Sequence, residues 1–96
     1  MESKVIRPKA KEIQKRFFQA VDLLIESDKI KSLQSFCTDY GLHRPKYSNL
    51  RTWANDDSKP GTGYKFIDVD ALAYLVADYH VSADWLLIGK GGMFRK

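Results

Sequence analysis

The sequence predicts an all-α fold, a compact five-helix bundle built around a central helix-turn-helix. Three observations carry this expectation. Apolar residues recur at three- and four-residue steps along most of the chain, the period of a helix with one buried face. Helix-starting serines and aspartates and helix-ending glycines punctuate those stretches. Between Ser32 and Trp53 two short helical patterns meet at Gly41 with almost no linker, so the two helices must cross rather than lie side by side.

Ninety-six residues are enough for one small core. At 44% hydrophobic and 29% charged residues the chain is too apolar to stay disordered. No run approaches the roughly 18 apolar residues of a membrane span, and the start, MESKVIRPKAKEIQKR, lacks the apolar centre of a signal peptide. A cytoplasmic location and no membrane partner are expected. One cysteine, Cys37, cannot form an internal disulfide.

Residues 1–10 show no periodicity and contain Pro8, so they are expected to form a flexible basic arm, with residues 11–96 as a single domain. From Lys11, Ile13, Phe17, Ala20, Val21 and Leu24 share one helical face, widened by Phe18 and Ile25. Ser27 and Asp28 end this first helix, and Ile30 tucks into the core before Ser32 caps the second. In the second helix Leu33, Phe36, Cys37 and Tyr40 form the stripe, and Gly41 stops it because glycine tolerates positive φ.

Pro45 suits the first turn of the third helix, where a missing N–H costs nothing, and Tyr47, Leu50 and Ala54 point inward. ANDDSKPGTGYKF follows as a long polar loop. Its GTGYK lacks the spacing and the Gly-Lys-Ser/Thr ending of a phosphate-binding loop. Asp68 or Asp70 can cap a fourth helix whose stripe is Val69, Leu72, Leu75, Val76 and Tyr79. Ser82 caps a short fifth helix, ADWLLI, with Asp84 in its first turn, Trp85 and Leu86 plugging the bundle and Gly89 closing it. Met93 and Phe94 either fold back on the bundle or stay exposed for a partner.

The net charge of +4 is unevenly distributed. Residues 1–16 and 29–66 are each +4 and the tail 90–96 is +3, whereas 17–28 are −3 and 67–89 are −4. A basic arm and central motif set against acidic later helices suit a molecule with one face toward a polyanion.

The small residue Cys37, Gly41, the apolar Tyr47 and Leu50, and the closing VSADWLLIGKGGMF together resemble the lambda-repressor-like (Cro/repressor-type) helix-turn-helix DNA-binding proteins over roughly Ile13 to Phe94. The resemblance implies a bacterial or phage-encoded, nucleoid-associated transcriptional regulator, with the third helix in the DNA major groove. It also implies a homodimer on a two-fold symmetric double-stranded operator. Leu33 departs from the family, which commonly has glutamine there, and Tyr47 is bulkier than the usual valine or isoleucine.

With Tyr47, Leu50 and Ala54 inward, the opposite face of the third helix offers candidate base-reading residues Arg44, Pro45, Ser48, Asn49 and Thr52. Arg44 is expected to read guanine, Asn49 to read adenine or brace Arg44, and Pro45 to pack against a thymine methyl. Candidate phosphate contacts are Lys31, Ser32, His43, Lys46, Arg51, Lys59 and Lys65. In the competing reading of these residues, Arg51 pairs with an acid such as Asp39 and His43 caps the third helix. Catalysis is not expected, because Cys37 faces inward. One cysteine and two histidines, His43 and His80, cannot assemble a usual structural zinc site, and no cofactor or small-molecule ligand is expected. The rival from another class is a protein-interaction module on the same scaffold, docking a partner through Met93 and Phe94.

Overall fold

The structure, a computed structural model, describes the backbone of residues 8–55 and 67–95 and the side chains of 9–52 and 67–95. The described residues form five helices: α1 (Pro8–Glu26), α2 (Leu33–Tyr40), α3 (Arg44–Asn55), α4 (Val69–Tyr79) and α5 (Ala83–Ile88). None is long and apolar enough to cross a membrane.

α1 begins at Pro8, ahead of the Lys11 at which periodicity starts. Proline is preorganised for a first turn, so residues 8–10 are helical and the expected arm is corrected at that end. Residues 1–7 lie outside the described residues. Phe17, Phe18, Ala20, Val21 and Leu24 of α1 are buried, as their spacing predicts. Past its end, Asp28 takes a left-handed conformation and the Ile30 N–H returns to the Leu24 carbonyl, which folds Ile30 into the core.

The centre of the molecule is aromatic. Phe17 meets Phe18 edge-on with ring centroids 5.0 Å apart, and lies 6.1 Å from both Phe36 of α2 and Tyr47 of α3. One α1 side chain thereby holds both motif helices; such ring pairs add about 0.5–1.5 kcal/mol each beyond area burial.

α2 is bounded as its sequence indicates. Ser32 Oγ accepts the Ser35 N–H at 3.0 Å. Gly41 follows with φ 68°, and the Leu42 N–H donates to the Cys37 carbonyl at 2.8 Å. Only Gly41, Leu42 and His43 separate α2 from α3.

α4 differs from expectation in two ways. Its buried line runs through Ala71 and Leu75, while Leu72, Val76 and Tyr79 are half-buried and Val69 is 82% exposed. The small Ala71 admits close approach, which turns the helix away from the stripe that Val69 would have led. Asp68 occupies the N-cap position but makes no side-chain cap bond, because its carboxylate is engaged elsewhere. α5 matches its predicted limits: Ser82 Oγ accepts the Trp85 N–H, Gly89 closes the helix at φ 73°, and Leu86 is buried while Trp85 is half-buried. Arg16 of α1 donates from Nε to the Leu86 carbonyl at 2.9 Å and from Nη2 to that of Leu87 at 3.1 Å. A cation there complements the negative end of the helix dipole.

The tail folds back. Val81 and Phe94 pair antiparallel, with the Ser82 N–H on the Met93 carbonyl and the Arg95 N–H on that of His80, both at 2.8 Å. Met93 packs on the core and Phe94 stays partly exposed.

A Cβ at Gly41 would meet nothing within 4 Å, so Gly41→Ala isolates the backbone cost of the left-handed turn. A loss of about 1 kcal/mol is expected, read from the urea midpoint at unchanged m value.

Candidate nucleic-acid interface

α3 carries its polar residues on one edge because its buried positions, Tyr47 and Leu50, are three residues apart and so lie within about 60° of each other on the opposite side. Tyr47 and Leu50 are fully buried against α1 and α2, and Arg44, Pro45, Ser48, Asn49 and Thr52 are all exposed. These five candidates therefore share one solvent-facing edge. The inward position assigned to Ala54 lies outside the described side chains. The Thr52 hydroxyl donates back to the Ser48 carbonyl at 3.2 Å, which leaves an oxygen lone pair facing outward. His43 precedes the helix, and its Nδ1 accepts the Lys46 N–H at 3.3 Å, so it caps α3.

Between the start of α2 and this edge runs an open groove of about 410 Å³. Ser32, Leu33, Cys37, Arg44, Ser48 and Arg51 border it, with exposed Lys31 just before. Ser32 is held there by its cap bond. Cys37 is buried, and burial pushes its thiol above the ordinary range, with nearby Arg44 opposing. Its side chain belongs to the hydrophobic core. Among the described residues no group of three or more His, Cys, Asp or Glu is placed to hold a metal ion.

The two remaining cations of α3 are not free. Lys46 Nζ donates to Asp68 Oδ1 at 3.0 Å, and Arg51 Nη2 donates to Asp22 Oδ1 of α1. Both are expected phosphate contacts, and in the structure each is engaged by an acid. The partner of Arg51 is Asp22 and not Asp39, because position 51 lies on the side of α3 turned toward α1. Lys59 and Lys65 lie outside the described residues.

Asp68 also receives the Tyr47 hydroxyl at 2.8 Å on Oδ2, and its own N–H donates to the Tyr47 oxygen at 2.9 Å. A tyrosine can stand at this fully buried position because its hydroxyl both donates and accepts. The Tyr47 hydrogen bond and then that of Lys46 hold the Asp68 carboxyl below its ordinary value, while burial pushes the Tyr47 phenol up. This exchange joins α3 to the first residue before α4. Sequence reasoning missed Asp22 and Asp68 as partners of the motif; the signal available was a tyrosine, whose hydroxyl must find a partner, where the resemblance implies an aliphatic residue.

No family model, curated protein or solved structure matches this chain significantly.

Tyr47→Phe keeps the ring and strands the Asp68 N–H, so a loss of about 1–2 kcal/mol is expected in urea denaturation. The Asp68 bonds also make stability depend on pH. A carboxyl whose folded value is depressed adds stability above the ordinary carboxylate range, and that contribution disappears as pH falls through the depressed value. The stability gap between wild type and Asp68→Asn should accordingly stay constant from neutrality down to about pH 4 and narrow below it.

Proposed function

We propose that the chain is a sequence-specific double-stranded DNA-binding protein of the lambda-repressor-like type, acting as a small transcriptional repressor with α3 in the major groove. The observation that carries this reading is the exposed edge Arg44, Pro45, Ser48, Asn49 and Thr52, free of large apolar side chains, on a helix anchored from behind by Tyr47. In the reading, Arg44 gives a bidentate pair to guanine and Asn49 reads adenine or braces Arg44. Pro45 packs against a thymine methyl, and Ser48 and Thr52 bond bases or phosphates. Lys31, Ser32 and His43, bordering the edge, supply backbone contacts. The five-helix composition and the α2–Gly41–α3 connection agree with the resemblance in sequence.

One such module has a modest phosphate footprint, so the active form is a homodimer on a two-fold symmetric operator whose half-sites lie about 34 Å apart. The site of action is the cytoplasm, on nucleoid DNA.

A second reading, a protein-interaction module, draws on a different part of the molecule. Phe94, Leu23 and Tyr79 border an open, mostly apolar hollow of about 760 Å³ between the ends of α1 and α4, and Phe94 belongs to the tail proposed to dock a partner.

Selection of binding sites from random duplex DNA decides between them, and a two-fold symmetric consensus is expected. Arg44→Ala should weaken binding to that consensus by about 1–3 kcal/mol and relax one base position. The combined Arg44→Ala, Ser48→Ala and Asn49→Ala variant should lose sequence preference altogether. Absence of any enriched sequence, with salt-insensitive retention on heparin, would overturn the DNA reading in favour of the second.

A further inference from the structure

Lys46 and Arg51 hold mirror positions on α3. At 100° per residue they stand about 70° to either side of the buried Tyr47–Leu50 line, which puts one cation on each flank of the element that would enter a groove. Each is held from behind by an acid of another helix or its start. Asp68 takes Lys46, whose side chain is only 19% exposed, and Asp22 takes Arg51, with both side chains 39% exposed. The acids are thus contributed by the two negative segments of the chain, residues 17–28 and 67–89.

We infer that Asp22 and Asp68 are specificity-setting residues: by pairing with the flanking cations they suppress sequence-independent attraction to DNA phosphates. This rests on the DNA-binding reading above. Sequence-independent affinity comes from cations that displace counterions from the phosphate backbone. A phosphate approaching Arg51 or Lys46 meets a pair of near-zero net charge, and must either displace a carboxylate or share the cation with it. Both acids also remain close enough to repel the phosphate through solvent. Among the described residues no such acid is bonded to the base-reading edge, and Arg44 makes no ion pair. The arrangement therefore lowers the affinity common to all sequences and spares the contribution that depends on sequence. The acids act through Lys46 and Arg51 and touch no base themselves.

The test is fluorescence anisotropy of the full chain on a random-sequence duplex and on the selected duplex over a salt series. Asp22→Asn and Asp68→Asn are compared with Asp84→Asn, which removes the same charge from an exposed site on α5. Circular dichroism checks that each variant is folded. At about 0.1 M salt, Asp22→Asn and Asp68→Asn should each bind the random duplex roughly three- to tenfold more tightly. The slope of log affinity against log salt should steepen by up to about one, and preference for the selected duplex should fall. Asp84→Asn should change each quantity much less. Adding Arg51→Ala to Asp22→Asn should erase the gain, whereas adding Lys90→Ala, which removes the same charge from an exposed site beyond α5, should leave most of it, an outcome that a general charge effect does not produce; this comparison keeps the test decisive if Asp68→Asn, which also meets Tyr47, fails to fold. Variants at Asp22 and Asp68 that match Asp84→Asn, or bind more weakly than wild type, overturn the inference while wild-type binding to the selected duplex leaves the DNA reading standing. If neither wild type nor any variant binds either duplex, both fall.

Discussion

The bond between the Tyr47 hydroxyl and Asp68 is the constraint on which the arrangement of the motif depends. Tyr47 is wholly buried, and its ring reaches Phe17 of α1 while its oxygen trades hydrogen bonds with the carboxylate and the N–H of Asp68. One side chain consequently sets the rotation of α3 about its own axis and the point at which α4 begins. With Tyr47 pointing inward, helical geometry leaves no freedom over which residues face outward. Packing and hydrogen bonding act together here: the ring supplies depth, and the hydroxyl supplies direction that apolar contact alone does not.

The same residue explains the electrostatics around the motif. A buried phenol needs an acceptor, and the acceptor used is ionised, so a negative charge comes to rest beside Lys46. On the other flank Asp22 does the same for Arg51 from a helix whose apolar face was already committed to the core. The alternation of positive and negative segments along the chain thereby becomes local pairing at the sides of α3, with Arg44 left outside it. Partly exposed pairs of this kind contribute little to stability, and their larger effect is on the field that a charged partner meets.

The fold was legible where the physics is local. Ser32, Gly41, Ser82 and Gly89 bound their helices as their side chains or lack of one require, and the Phe17–Leu24 face follows from spacing alone. Departures arise where a distant segment intervenes. Pro8 starts α1 earlier than the apolar period does. Ala71, unremarked by any hydrophobicity pattern, takes the inner position that the stripe assigned to Val69. Asp68 reads as a cap and instead bonds a side chain 21 residues away. For the candidate site, the exposed edge of α3 was readable from the period of Tyr47 and Leu50, whereas the fate of Lys46 and Arg51 was not. A surface cation and an acid on another helix leave no trace in spacing, and which of several acids wins is decided by how the helices are rotated.

The short pairing of Val81 with Phe94 gives α5 a property that its sequence alone does not confer. Six residues are far below the length at which an isolated helix holds in water, yet α5 lies inside a loop whose two ends are joined at Ser82 and Met93 and at His80 and Arg95, with Arg16 fastening its last carbonyls to α1. Residues 80–95 are thus closed by a clasp. Opening it means releasing the clasp and the Arg16 contacts together, so α5 and the tail form a single cooperative unit: the last turn of the molecule is either wholly in place or wholly lost.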